Sequence, residues 1–196
     1  MIFDTIYYEL LLKIRTVGQD YRRRDDRNFG YDPTPYSVLS KLAASGYIKE
    51  NDTLIDYGCG KGRVGFFLAH KCHCKVIGID YNEAILKIAS DNKERNGSEN
   101  VTFIQGKAQD YKVTEADCAF FFNPFSVEIL IDVLNNLTKY CRRHQRKMLL
   151  FFYYPSKNYR RKLKQLKSLK LLEEIDCTDI FLYNSRVQRI LVYELS

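Results

Sequence analysis

Chemistry in this chain gathers at three places. The first is Asp56-Tyr57-Gly58-Cys59-Gly60-Lys61-Gly62-Arg63, three glycines alternating with other residues directly behind the short apolar run 53–57. Glycine lets a backbone turn tightly and approach a ligand with no side chain in the way. The second is Asp80, which closes the next apolar run, CKVIGID. The third is Asn123-Pro124-Phe125, at the end of DCAFFFN. A glycine loop between a strand and a crossover helix is where doubly wound sheets hold nucleotide-like cofactors. The dinucleotide spacing Gly-x-Gly-x-x-Gly is not kept, because Arg63 stands where its third glycine belongs. Asp56 lies two positions before the first glycine, where it repels a pyrophosphate and attracts an ammonium group.

The surrounding periodicity supplies the elements that position these residues. Residues 4–15 carry apolar side chains at helical spacing, and Thr34-Pro35 opens a second helix to about Ala44, with Thr34 as N-cap and Pro35 in its first turn. From Thr53 strands and helices alternate. Strands are expected at 53–58, 74–80, 101–106, 117–123 and 147–154, and helices at 62–71, 82–96 (capped by Asn82), 126–143 and roughly 157–167. Two more strands follow, about 169–176 and 186–194. Wholly apolar central runs demand a parallel sheet covered on both faces. The fold class is α/β: a doubly wound, Rossmann-like sheet of about seven strands, mostly parallel, with an antiparallel C-terminal strand and N-terminal helices. The organisation reads as an N-terminal helical extension and covering segment, 1–50, and a cofactor-binding domain, 51–196.

The glycine loop with Asp56 and Asp80 resembles the first motifs of class I S-adenosylmethionine-dependent methyltransferases over about residues 31–194. The resemblance implies that Asp56, Gly58, Cys59, Gly60 and Gly62 hold the amino-acid end of S-adenosyl-L-methionine. It implies that Asp80 takes the ribose hydroxyls, that Tyr81 lies against the adenine, and that Gln109 and Asp110 meet the adenine amino group. Asn123-Pro124-Phe125 resembles the Asn/Asp-Pro-Pro-Tyr/Phe motif of methyltransferases acting on amino groups, with one proline instead of two. Asn123, Pro124 and Phe125 are the catalytic residues by that resemblance, Asn123 also facing the cofactor. Ser126 takes the place of the stacking aromatic. Tyr31-Asp32-Pro33-Thr34-Pro35 resembles the Phe/Tyr-x-Pro-Thr-Pro segment of some protein-lysine methyltransferases, which also carry Gly-Arg after their loop, as Gly62-Arg63 does. There the segment covers the cofactor, and Thr34 is the residue that would reach its carboxylate. Tyr7, Tyr21, Tyr31, Tyr36, Tyr153 and Tyr154 are available to wall a dry acceptor pocket, which would favour a neutral amine.

Composition narrows the class. With 196 residues, 45% apolar and 14% aromatic, the chain is neither disordered nor fibrous. Six cysteines are too sparse for a disulfide scaffold. With no secretory leader at MIFDTIYYELLLKIR and no run long enough to span a membrane, free thiols and a cytoplasmic location are expected. His70, Cys72, His73 and Cys74 lack the second ligand pair of a zinc site, so no metal is expected. Twelve basic and no acidic residues fall between Lys139 and Leu172, against 19 basic and 24 acidic elsewhere. The strand 148–154 divides that segment into two basic surfaces.

Together these features imply a methyltransferase using S-adenosyl-L-methionine on a nitrogen of a protein side chain or small amine. A nucleic-acid methyltransferase using segment 139–172 and a non-catalytic cofactor-binding protein are the alternatives.

Overall fold

Consecutive residues of the apolar runs serve opposite faces of one sheet. Phe120 and Phe151 join one buried cluster, whereas Phe121 and Phe152, the next residues, join the other. This two-residue alternation is why both faces read apolar. The computed structural model describes residues 2–21, 27–181 and 188–196. Its strands are Thr53–Tyr57 (β1), Lys75–Asp80 (β2), Val101–Gln105 (β3), Cys118–Phe121 (β4), Met148–Tyr153 (β5), Leu169–Asp176 (β6) and Arg189–Leu195 (β7). They form one sheet in the order β3-β2-β1-β4-β5-β7-β6. The first five strands pair in parallel, and β7 inserts antiparallel between β5 and β6. The order reverses between β1 and β4, so a crevice opens beyond their carboxyl ends.

The helices are Ile2–Leu11 (α1), Tyr36–Ala44 (α2), Arg63–Cys72 (α3), Glu83–Asn96 (α4), Val127–His144 (α5) and Lys157–Leu163 (α6). On one face, Leu39 and Leu42 of α2 and Phe67 of α3 pack with Phe151 and Val192. On the other, Leu130, Val133 and Leu137 of α5 and Tyr159 and Leu163 of α6 pack with Phe152 and Leu191. Asn82 caps α4 as expected, its side chain accepting from the N–H groups of Ala84 and Ile85.

Three expectations from the sequence need correction. The first helix stops at Leu11, because Lys13 turns with φ 53°. Leu12 and Ile14 kept the helical apolar spacing only because both are buried after the turn. Thr34 does not cap α2: Pro35 is the N-cap residue, and its carbonyl accepts from Val38 and Leu39. The basic helix ends at Leu163, not 167, where two tight turns at Gln165 and Leu166 lead the chain into β6. The expected last strand begins at Arg189; positions 186 and 187 lie outside the described residues.

Candidate functional site

The glycine loop is wedged between two other parts of the chain. Gly58 has φ 75°, and a Cβ there would lie 2.3 Å from Pro124 Cβ. Gly60 has φ 54°, and a Cβ there would lie 2.1 Å from Tyr31 Cδ2. Only glycine meets both demands, left-handed backbone and no side chain. The N–H groups of Gly58 and Cys59 donate to the Ile79 carbonyl at 2.8 and 3.1 Å, clipping the loop onto the end of β2.

Asp80 fastens the same corner. Its Oδ2 accepts from the Gly60 N–H and its Oδ1 from the Asn82 N–H, both at 2.9 Å. Burial raises the Asp80 carboxyl above its ordinary range, while N–H groups of Asn82, Gly60 and Tyr81 pull the other way. Each carboxylate oxygen has more than one acceptor site, so Asp80 can hold the loop and still accept from a ligand. Asp80 and Tyr81 line a cleft of about 560 Å³ with Gly58, Ile85, Ala108 and Pro124.

Asp56 sits one layer deeper. It is buried within β1, and its Oδ2 has no hydrogen-bond partner among the described residues. Burial, then the nearby charge of Asp80, pushes its carboxyl up to about 8. An orphaned buried carboxyl oxygen is costly unless a donor meets it. It lines a second hollow of about 410 Å³ with Thr34, Cys59, Arg63, Phe120 and Phe122. The two hollows share Gly30, Tyr31 and Gly58 as walls. The residues fit S-adenosylmethionine: Asp56 would suit a cationic head, and Asp80 would suit a donor hydroxyl.

A strap from the N-terminal segment roofs the crevice, and sequence reasoning found only part of it. Asp20 and Tyr31 pair main chain to main chain at 3.0 and 2.7 Å. Phe29 N–H donates to the Pro124 carbonyl at 3.1 Å, and Ser126 N–H to the Arg27 carbonyl at 2.7 Å. The Tyr31 hydroxyl donates to the Thr16 carbonyl at 2.7 Å. Arg63, only 4% exposed, then ties strap to loop. Its Nε donates to Thr16 Oγ1 at 2.6 Å, its Nη1 to the Thr34 carbonyl at 3.2 Å, and its Nη2 to Glu9 Oε1 at 3.3 Å. The guanidinium lies 4.4 Å from the Tyr36 ring centroid, and the Tyr36 hydroxyl donates to Glu9 Oε1 at 3.0 Å. Burial is the main reason both tyrosine hydroxyls hold their protons above the ordinary range. Glu9, an acid amid the apolar spacing of α1, was the available signal for this network.

Asn123 adopts φ 43°, and its side-chain amide bridges to the segment after β5. Its Nδ2 donates to the Tyr154 carbonyl at 2.7 Å, and its Oδ1 accepts from the Ser156 N–H at 2.9 Å. Phe125 is buried, its ring edge-on to Tyr57 and Phe121, and its carbonyl accepts from the Tyr159 hydroxyl at 2.6 Å. Thus Pro124 meets the glycine loop, Asn123 meets the β5–α6 loop, and Phe125 anchors both from below.

Gln109 and Asp110 lie on a short 3-10 turn and line a neighbouring groove with Tyr111, Lys139 and Arg143; Gly106 and Ala108 line the cleft in their place. The Gln109 carbonyl accepts from Asn136 Nδ2 at 2.7 Å. Of the expected wall tyrosines, Tyr31 and Tyr36 belong to the strap network, Tyr153 is buried, Tyr154 is 38% exposed beside Asn123, and Tyr7 and Tyr21 face outward. All six cysteines are free thiols, and burial raises Cys59 and Cys118 furthest above the ordinary thiol range. Among the described residues no cluster of His, Cys, Asp and Glu is placed to hold a metal ion, and no helix is long and apolar enough to cross a membrane.

Known proteins place this geometry. A protein-lysine N-methyltransferase of Saccharolobus islandicus is 27% identical over 94 residues, covering 47% of this chain and 58% of that protein. An uncharacterized RNA methyltransferase of Chlorobaculum tepidum is 36% identical over 76 residues, covering 38% of this chain. The chain spans only 15% of that protein's length. Precorrin-6y C5,15-methyltransferase from Geobacter metallireducens shares the fold, with a TM-score of 0.62 at 14% identity, over 84% of this chain and 90% of that one. The methyltransferase domain family matches residues 48–171, from just before β1 into β6. The chain therefore belongs to the methyltransferase domain family of S-adenosylmethionine-dependent enzymes.

Proposed function

We propose that this protein methylates a nitrogen, on a protein side chain or small amine, in the crevice between the glycine loop and Asn123-Pro124-Phe125. The observation that carries this reading is the pairing of two features. Asp56 offers an orphaned buried carboxyl oxygen inside the crevice, and Pro124 and Phe125, the neighbours of Asn123, line its wall. When bound, the cofactor supplies a methyl carbon on a cationic sulfur, which an amine lone pair displaces as the C–S electron pair returns to sulfur. Asp56 would hold the ammonium, Asp80 would accept from the ribose hydroxyls, and Tyr81 would border the base. Asn123 Oδ1 already accepts from Ser156 and keeps a second lone pair for an N–H of the incoming amine. Such positioning, not strong acid or base, is what a displacement of this kind needs. The product ammonium sheds its proton to solvent.

Phe125 separates protein from nucleobase acceptors. Its ring is packed into the core, so the loop offers no exposed aromatic face of its own for stacking a base. A relative named as a protein-lysine methyltransferase supports the same side. Relatives named as RNA methyltransferases keep the nucleic-acid reading in view as the second outcome. Radiolabelled methyl transfer into a cell extract, divided between nuclease and protease treatment, tests the assignment. Label released by protease supports it, as does label in small amines that resists both enzymes. Label released by nuclease overturns it.

A further inference from the structure

The second basic surface belongs with the acceptor site, and this inference rests on the reading of that site given above. The two halves of the basic segment differ in how their charge is compensated. In the first half Arg146 pairs with Asp117, and Lys147 with Glu194 at 2.8 Å, while Lys139, Arg142 and Arg143 form no ion pair among the described residues. In the second half Lys157, Arg160, Arg161, Lys162, Lys164 and Lys167 crowd α6 and the turn behind it with no acidic residue between them. None of these six forms an ion pair among the described residues. Arg160 goes further: its Nε and Nη2 are buried and have no hydrogen-bond partner. Arg160 and Glu174 both lie near enough to Tyr193 to act on its hydroxyl, and Glu174 is paired with Arg189 at 2.6 Å. Holding so many like charges on one short element is unfavourable unless an anionic partner answers them.

This surface is also fixed to the acceptor loop. Ser156, the N-cap of α6, donates its N–H to Asn123 Oδ1 at 2.9 Å. Tyr159, buried in α6, donates its hydroxyl to the Phe125 carbonyl at 2.6 Å. Anything seated on α6 is therefore held in register with Asn123. A helix of this length spans about 10 Å, the reach of roughly three extended residues.

We propose that α6 is the docking surface for an acidic polypeptide segment that presents the methyl-accepting nitrogen to the Asn123 loop. A polypeptide is favoured over a nucleic acid because α6 presents charge without rings: its single aromatic residue, Tyr159, is 1% exposed, and the exposed ring of Tyr154 lies before the helix. The acceptor nitrogen then lies a few residues from a run of carboxylates.

The test is fluorescence anisotropy with the full chain, using a short labelled oligoglutamate peptide and an oligouridylate of equal charge. One variant combines Arg161→Glu, Lys164→Glu and Lys167→Glu, all exposed. The control combines Lys139→Glu, Arg142→Glu and Arg143→Glu, the same charge change on α5 at the other end of β5. The peptide is expected to bind the natural chain, to lose at least about tenfold in affinity with the α6 variant, and to change by less than about threefold with the control. Equal loss with both variants, no peptide binding, or tighter binding of the oligouridylate overturns the proposal. Calorimetry with S-adenosylmethionine on each protein reports folding and cofactor binding separately. Failure of the methyltransferase reading is thereby distinguished from failure of the docking surface.

Discussion

The ring of Tyr31 lies against the Cα of Gly60, so close that a methyl group there would come 2.1 Å from the ring. Strap and cofactor loop are thus in direct contact at a residue whose φ, 54°, already excludes most side chains. Gly60→Ala should cost about 1–2 kcal/mol for the left-handed backbone alone, and more for displacing Tyr31. Affinity for S-adenosylmethionine should fall at least about tenfold by calorimetry, the equivalent of 1.4 kcal/mol. Gly97→Ala is the matched control, with φ 74° and nothing within 4 Å. It should destabilise by the backbone cost and leave cofactor affinity unchanged.

Asp56 gives the crevice a pH signature. Its folded pKa, about 8, is raised above the ordinary carboxyl value of 3.8, so the folded ligand-free protein holds a proton the unfolded chain releases between those values. Stability of the ligand-free protein should therefore fall as pH rises from about 4 to about 8, by the sign of proton linkage. Asp56→Asn should flatten that slope and raise the melting temperature at pH 8. An ammonium beside Asp56 favours the ionised form, so cofactor binding at pH 7 should release about one proton from this group. Calorimetry in buffers of different ionisation enthalpy, compared with Asp56→Asn, measures it.

Asp80 holds the loop and α4 through two main-chain N–H groups. Asp80→Ala should weaken cofactor binding by about 10- to 100-fold, the worth of one or two charge-assisted hydrogen bonds. Circular dichroism should remain that of the folded domain.

Asn123→Ala removes both contacts to the β5–α6 loop, at Tyr154 and Ser156. Cofactor affinity should stay within about twofold, while the methyl-transfer rate falls by about 10²-fold through lost positioning. Equal losses in both would place Asn123 in the cofactor site alone.

Much of the sheet was legible because its strands are short, apolar and bounded by glycine or polar turns, and β6 was placed residue for residue at 169–176. The turn behind β1 was legible from local spacing, since Gly58, Gly60 and Gly62 all take positive φ there. The strap was not. Its bonds join Glu9, Thr16, Tyr31 and Arg63, separated by up to 54 residues, and no local period encodes such pairing. Gln109 shows the converse: it follows the third strand as a cofactor residue should, yet the turn directs it to the adjoining groove. The pairing of Asn123 with Ser156 was hidden for the same reason as the strap, since it spans 33 residues.

Arg63 sets a different limit on the molecule from the one that family resemblance draws. The family match begins at residue 48, yet the buried guanidinium finds its oxygens on Glu9, Thr16 and Thr34. A fragment starting at 48 would lose those acceptors and uncover the apolar face that Leu39 and Leu42 close against Phe67, each buried leucine being worth about 1.5–3 kcal/mol. The portable unit, in laboratory truncation or in the shuffling of domains through evolution, is thus larger than the block the family match spans. The N-terminal segment must travel with the glycine loop, because Glu9, Thr16 and Thr34 together supply the acceptors of Arg63.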